Sequence, residues 1–453
     1  MSAHPTMPRL GFGSAALPLK VRVPFFGPIF TVLVVLILTF STFFSLYWFE
    51  IGGKGIELIL ASKDIILITG IAVVVLWRIA HFQGTLRFSS VDLWLALLLA
   101  VNLTSFAISP ASLTLRVLNL RRNLELFFLF WTFYYVGRSK LTFKVLIWSS
   151  WAAFASVMAF GIFEYLQPNS FWDQVVDIPA YWRNVTLDPF GTSSIADSGR
   201  FYTWDLQALV GHPVRRMVSL YLEPTTLAAF ILFIFCIGFL RRGMGPKLLP
   251  VLLGLLTVSK FYVLAVAISL LIWKFRHRLA RRLMLVCYLG CIALAMLALA
   301  TSLLGITSGA IAHLRGVIDL TQVFGQKKFA GLGLGAAGNY AMSNAADPTL
   351  GEESGLGNVT AQIGLGIIVY LAFLNSLYHS LREKWLASQR IEYIVGIMLL
   401  ISWTVSFFLS ASSLGVSGNA FFFIFIGCLL GRDASRKQDN FCPATVSPLH
   451  EAL

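Results

Sequence analysis

Residues 241–282 read RRGMGPKLLPVLLGLLTVSKFYVLAVAISLLIWKFRHRLARR. Between the two basic flanks the stretch 248–273 is almost wholly apolar, interrupted near its middle by Ser259-Lys260. About 20 such residues cross a hydrocarbon layer of about 30 Å as a helix. Lys and Arg concentrate on the cytoplasmic face of a membrane, so a single crossing would strand one basic flank outside. The stretch therefore predicts two short helices, with Lys260 at an extracytoplasmic tip and both flanks inside.

Working outward, the same pattern fills the chain. Of 453 residues, 57% are hydrophobic and 12% charged, where a soluble domain carries about 25% charged. That excludes a soluble globular protein, a disordered chain and a disulfide scaffold, since the five cysteines show no framework spacing. Apolar runs lie at 24–49, 58–77, 91–108, 113–137, 145–166, 217–240, 283–304, 361–380, 393–410 and 419–431. With the broken hairpin counted as two, they predict an all-α, polytopic transmembrane bundle of about 12 spans. The layout places residues 1–23 as a cytoplasmic N-terminus, 24–431 as the membrane domain, and 432–453 as a polar, disordered cytoplasmic tail. The first span is longer than a signal-peptide core and is expected to stay attached. Two loops, about 167–214 and 305–360, are long, outside and partly helical. The net charge of +14 then reports orientation and contact with anionic membrane lipid, not nucleic acid. Three N-x-T sequons, at Asn102, Asn184 and Asn358, are short enough to arise by chance.

Charged groups at membrane depth are costly, so those at the outer face are functional candidates. Arg216 and Glu223 are seven residues apart in RRMVSLYLEP (215–224); on a helix they share a face, with His212 one turn before Arg216. Arg215 snorkels to headgroups or joins them. Lys260 is a point charge suited to phosphate. The segment 308–320 reads as a short amphipathic helix carrying His313, Arg315 and Asp319. Arg315 either pairs with Asp319 at i,i+4 or offers its planar fork to phosphate, and His313 either serves as a base near neutral pH or is a plain surface histidine. The run GLGLGAAG (331–338) contains G-x-G-x-x-G without the strand and βαβ unit of a dinucleotide site, so it reads as a turn approaching a ligand or another backbone. Glu353, ahead of an apolar span, is either a general base at the membrane surface or a helix-end carboxylate. Trp182, Trp204 and the other aromatic residues of the first long loop offer a surface for sugars, or form an interfacial belt.

The order of these features resembles the superfamily of O-antigen ligases and Wzy-type polysaccharide polymerases. The resemblance rests on Arg216 through Pro224, on Thr257-Val-Ser-Lys260 where the family often has Thr-x-Ser-Arg, on Arg315, on the Gly331–Gly338 turn and on Gly364-Leu-Gly366. These cover about 210–370. Ligases of the superfamily carry a histidine, then Asn, Ser or Gln, nine residues before a glycine; counting back from Gly364 places Glu353-Ser354 there. The resemblance thus implies a polymerase of repeat units more than a lipid A-core ligase, in a bacterial inner membrane with its site facing the periplasm. Donor and acceptor would be undecaprenyl-pyrophosphate-linked oligosaccharides. Arg216, Lys260 and Arg315 would hold the pyrophosphate and Glu353, with His313 in reserve, would take the proton. Arg215, Glu223, His212, Trp182 and Trp204 would contact substrate, with inversion at the anomeric carbon. It implies no metal and no cofactor, and partners among flippases, chain-length regulators and export proteins.

Two rivals stay open, the first of them from another class. A carrier or flippase of lipid-linked sugars would use Lys63, Asp64, Arg121, Arg122, Glu125 and Glu164 at membrane depth, although no repeat relates the two halves of the chain. A polyprenyl-phosphate-sugar transferase would show acidic residues in its first outer loop, here only about Glu50–Glu57.

Overall fold

A computed structural model of the full chain describes residues 26–52, 56, 59, 61–80, 88–186, 194–204, 206–303, 329–336 and 354–441. The helices are α1 (Phe26–Glu50), α2 (Ser62–Ala80), α3 (Ser90–Ile108), α4 (Leu113–Val136), α5 (Lys140–Leu166), α6 (Pro224–Gly238), α7 (Gly245–Leu255), α8 (Lys260–Lys274), α9 (Leu283–Leu303), α10 (Gly355–Ile363), α11 (Ile367–Ser388), α12 (Ile391–Leu409) and α13 (Val416–Phe441). Strands are confined, among the described residues, to one two-residue antiparallel ribbon, β1 (Tyr202–Thr203) with β2 (Val214–Arg215). The molecule is an all-α bundle of apolar helices, the architecture of a membrane-embedded protein.

Among the described residues, six helical segments are long and apolar enough to cross a membrane unaided: α1, α3, α5, the joined α10–α11, α12 and α13 as far as Ala434. Five further helices miss that count for physical reasons. Helices α2 and α4 are long enough but carry Lys63, Asp64, Arg78 and Arg116, Arg121, Arg122, Glu125 respectively. Helices α6, α7 and α8 have 15, 11 and 15 residues, and at 1.5 Å per residue each falls short of about 30 Å.

The predicted break in 248–273 is present. Helix α7 ends at Leu255, Val258 turns left-handed at φ 46°, and the Ser259 hydroxyl accepts from the Tyr262 amide to cap α8, whose first residue is Lys260. Tyr262 then donates to the Pro250 carbonyl at 2.7 Å, tying the two helices together.

Helix α13 is the most enclosed candidate span. Its Gly427 and Gly431 sit where a Cβ would strike the Phe130 and Tyr134 carbonyls of α4, the close approach that small residues four apart permit. Phe127, Phe423 and Trp403 pack edge to face around the same axis. The chain after Gly431 does not start a disordered tail as expected. Helix α13 continues to Phe441, because Asp433 accepts from Tyr393 and pairs with Lys384 at 3.0 Å and Arg390 at 3.3 Å, while Arg432 pairs with Glu392. Arg432 and Asp433 are thus tied to the ends of α11 and α12, and the residues beyond 441 lie outside the described residues.

Candidate functional site

Over 212–223 the chain forms a two-residue strand, irregular backbone and one 3-10 turn at Ser219–Tyr221, with no continuous helix, which corrects the shared-face reading of Arg216 and Glu223 and the position given to His212. Strand β2 pairs Arg215 with Tyr202, and the Arg216 amide donates to the Phe201 carbonyl at 2.8 Å. Ser219 and Leu222 then take left-handed φ values of 51° and 52°, and the helix starts only at Pro224, whose fixed φ suits the first helical turn. His212 is exposed beside the Pro213 carbonyl.

In an extended chain neighbouring side chains face opposite ways, and here they do different work. Arg216 points to the helix break: its Nε donates to the Thr257 carbonyl at 3.1 Å and its Nη1 to the Gly199 carbonyl at 2.9 Å, while the Met217 amide donates to the Leu256 carbonyl at 2.9 Å. The strap carrying Arg216 is therefore laced to the loop that ends in exposed Lys260. Arg215 points inward instead. It bonds the Gln167 carbonyl, Asn169 Oδ1 and both the carbonyl and the carboxylate of Glu164. Glu164 is wholly buried and its other oxygen receives the Val218 and Ser219 amides. A substrate contact from Arg215 is thus replaced by a structural one that holds the strap on α5.

Glu223 caps the approach to α6, its two carboxylate oxygens each accepting a 2.6 Å bond, from the Thr225 and Thr226 hydroxyls. The first long loop is a folded cap with its own core of Trp172, Ile178, Tyr181, Trp182, Phe201 and Val218. Trp182 is 1% exposed, packed on Phe201 with the Arg200 guanidinium 4.7 Å above its ring, so it offers no open face to a sugar. Burial pushes the Tyr181 phenol above its usual range, and Tyr181 meets Ser45 of α1. Trp204 is exposed. His313, Arg315 and Glu353, with the predicted helix at 308–320, lie outside the described residues. Ser354, next to Glu353, caps α10 and donates to the Phe408 carbonyl at 2.7 Å.

The glycine run approaches backbone, the second of the two uses its sequence allows. Gly331, Gly333 and Gly335 all have positive φ, and a Cβ on any of them would press on Gln362, Ser109 or Leu115. Their amides and neighbours bond the Ala361 and Gln362 carbonyls and the Ser105 carbonyl of α3. The sequons at Asn102 and Asn358 are buried in helices, so glycan attachment there is sterically closed.

A second polar feature lies at this end of the bundle. Lys63 donates to Ser417 at 2.6 Å, and Arg121 bridges Asp64 at 2.7 Å and Glu125 at 3.5 Å. Beside them runs a buried amide network: Asn123 to Asn102, Asn102 to the Tyr370 hydroxyl, and Gln362 to Asn119 and Asn358. The charged members are carrier candidates by sequence; the amides are not among the sequence candidates. The signal that could have found them is their i,i+4 spacing, Asn119/Asn123 and Asn358/Gln362, inside apolar helices.

No family model, no curated protein and no solved structure matches the chain.

Proposed function

We infer that the protein is a membrane glycosyltransferase that joins lipid-pyrophosphate-linked oligosaccharide repeat units into a polysaccharide. The observation that supports this reading best is the lacing of the Arg216 strap to the Thr257–Lys260 break, which brings two of the three predicted phosphate-binding cations to one edge of the bundle. The bonds from Arg216 to the Thr257 and Gly199 carbonyls hold its guanidinium at that edge. In the reaction an acceptor sugar hydroxyl attacks the donor's anomeric carbon and the carbon–oxygen bond to pyrophosphate breaks. The negative charge grows on the leaving group, where fixed cations act most strongly. Arg216, Lys260 and Arg315 fill that role, and Glu353 takes the hydroxyl proton, with His313 in reserve. The resemblance to Wzy-type polymerases and the Glu353 position favour polymerisation over ligation to a lipid A core. The same resemblance implies a bacterial inner membrane, with both termini cytoplasmic, and flippase, chain-length and export partners.

The test is incubation of purified protein in nanodiscs with undecaprenyl-pyrophosphate-linked repeat units, followed by sizing of the products. Chains longer than the input are expected. Arg216→Ala and Lys260→Ala should each slow elongation by about 10²-fold or more, the cost of losing one preorganised donor at a developing anion, and Glu353→Gln should abolish it. Unchanged product length, or variants within a few-fold of the parent, would overturn the reading. The partly buried ion cluster of Lys63, Asp64, Arg121 and Glu125 favours one competitor, a carrier of lipid-linked sugars. It predicts transfer of a fluorescent lipid-linked sugar between leaflets with no elongation.

A further inference from the structure

Residues 241–282 hold nine Lys and Arg and no Asp or Glu. Lys260 marks the end shared with Arg216; the other eight lie at the opposite end, in the turn from α6 to α7 and in the stretch 274–282 at the end of α8. Membrane orientation requires cations there but no particular arrangement of them, and here the arrangement is ordered. Tyr378, Arg382 and Trp385, spaced along one face of α11, donate to the Ala280, Leu279 and Arg276 carbonyls at 2.6, 2.9 and 2.9 Å. The loop is thus held by its backbone, and Lys274, Arg278, Arg281 and Arg282 stay exposed.

The two basic turns meet across an aromatic pair. The ring centroids of Phe239 and Trp273 are 4.4 Å apart; Lys247 Nζ lies 5.4 Å from the first ring and the Arg276 guanidinium 4.7 Å from the second. One cation from each turn therefore lies on a shared aromatic floor. Exposed Arg242 stands on one side of it and the four exposed cations of 274–282 on the other. Among the described residues none of these five is ion-paired. Like charges held side by side repel, and a shared anion relieves that cost.

The neighbouring surface says what kind of anion fits. Leu248, Leu252 and Leu255 are exposed along one face of α7, and Leu264, Leu271 and Phe275 are exposed on α8. A soluble anion makes no use of that apolar surface. A lipid uses both parts, its phosphate on the cations and its acyl chains along the leucines.

We propose that the paired turns 241–247 and 274–282 form a headgroup site for an anionic phospholipid carrying two phosphates, one phosphate against each turn. The site lies at the far end from Arg216 and does not depend on the transferase reading.

The experiment follows the melting temperature of purified full-length protein in neutral detergent during titration with cardiolipin, phosphatidylglycerol or phosphatidylcholine, since a ligand of the folded state raises it with occupancy. A saturable rise is expected with cardiolipin at an at least about tenfold lower concentration than with phosphatidylglycerol, because a second tethered phosphate binds at high effective concentration; phosphatidylcholine should give none. Arg242→Gln and Arg278→Gln each take one cation from one turn. Neither has an ion pair among the described residues to lose, so the melt without lipid should stay as it is, while cardiolipin binding weakens about fivefold, the effect of about one cation near a lipid surface. Lys140→Gln with Lys144→Gln removes two exposed cations of α5 and should leave cardiolipin binding unchanged. No rise with cardiolipin, equal affinity for the one-phosphate and two-phosphate lipids, or an equal loss in the α5 variant would reduce the site to diffuse charge and overturn it. A rise with inorganic pyrophosphate alone would overturn the lipid as its occupant.

Discussion

Arg215 and Arg216 differ by one position and by almost everything that decides what a charge does. Arg215 is held over α5 by four bonds and faces Glu164, whose side chain has no exposed surface. Removing one partner of such a pair leaves a buried charge alone and costs about 3–5 kcal/mol. Arg215→Ala should therefore lower thermal stability by about that amount in a detergent melt, whereas Arg216→Ala, which loses two bonds to backbone carbonyls, should lower the melt by less and act chiefly on turnover. Equal melts for the two variants would contradict the division. Both arginines are legible in the sequence as candidates; their division of labour is not, because it follows from an extended backbone where the spacing predicts a helix. The ribbon that imposes it joins Tyr202 to Arg215 through only two-residue strands, too short for an alternating pattern to show.

At the scale of elements, the legible features are those written in contiguous sequence. The interruption at Ser259-Lys260 discloses a helix pair from the residues alone, since two basic flanks and a polar centre admit few arrangements. Ser259→Ala, which removes the cap of α8, should cost about 1 kcal/mol and loosen the position of Lys260; a thermal melt alongside the elongation rate checks both effects. The pairing of α13 with α4 is not legible. Gly427 and Gly431 stand four apart in an apolar run, but the sequence does not say which helix they meet. The structure supplies the Phe130 and Tyr134 carbonyls. Gly431→Leu forces side-chain atoms into that backbone contact, and overpacking of a close interface costs about 1–3 kcal/mol or more. The expected outcome is a lowered melting temperature with loss of the well-folded fraction on size exclusion; Leu430→Met, which conserves volume in the same helix, should be tolerated.

For the whole molecule the question is which end faces out. The strap 214–223, the helix break, the glycine turn and the 411–414 turn gather at one end: Met217 bonds Leu256, Gly418 packs on the Thr226 carbonyl, and Ser354 bonds Phe408. The connections at the other end, 137–140, 241–247, 275–282 and 384–390, are rich in Arg and Lys. The charge asymmetry read from the sequence is thus also an asymmetry in space, and on the topology proposed above the positive-inside tendency would put the Arg216 end on the far side of the membrane. Lys260 and Ser388 are exposed at opposite ends, so each can carry a reporter cysteine in a background with the native cysteines replaced. In intact spheroplasts a membrane-impermeant maleimide should label Lys260→Cys and spare Ser388→Cys, and permeabilisation should expose both. The reverse pattern would put the candidate cations in the cytoplasm, where a polymer destined for the cell surface is not assembled on this scheme. Labelling of both before permeabilisation would mean that α8 through α11 do not carry the chain across the membrane an odd number of times. Helix α8, at 15 residues, falls short of crossing alone and packs on α12 and α6, through contacts such as Ser269 with Ser402 and Cys236. The labelling experiment therefore bears on the short helices that sequence hydropathy counts as spans and that length alone does not establish.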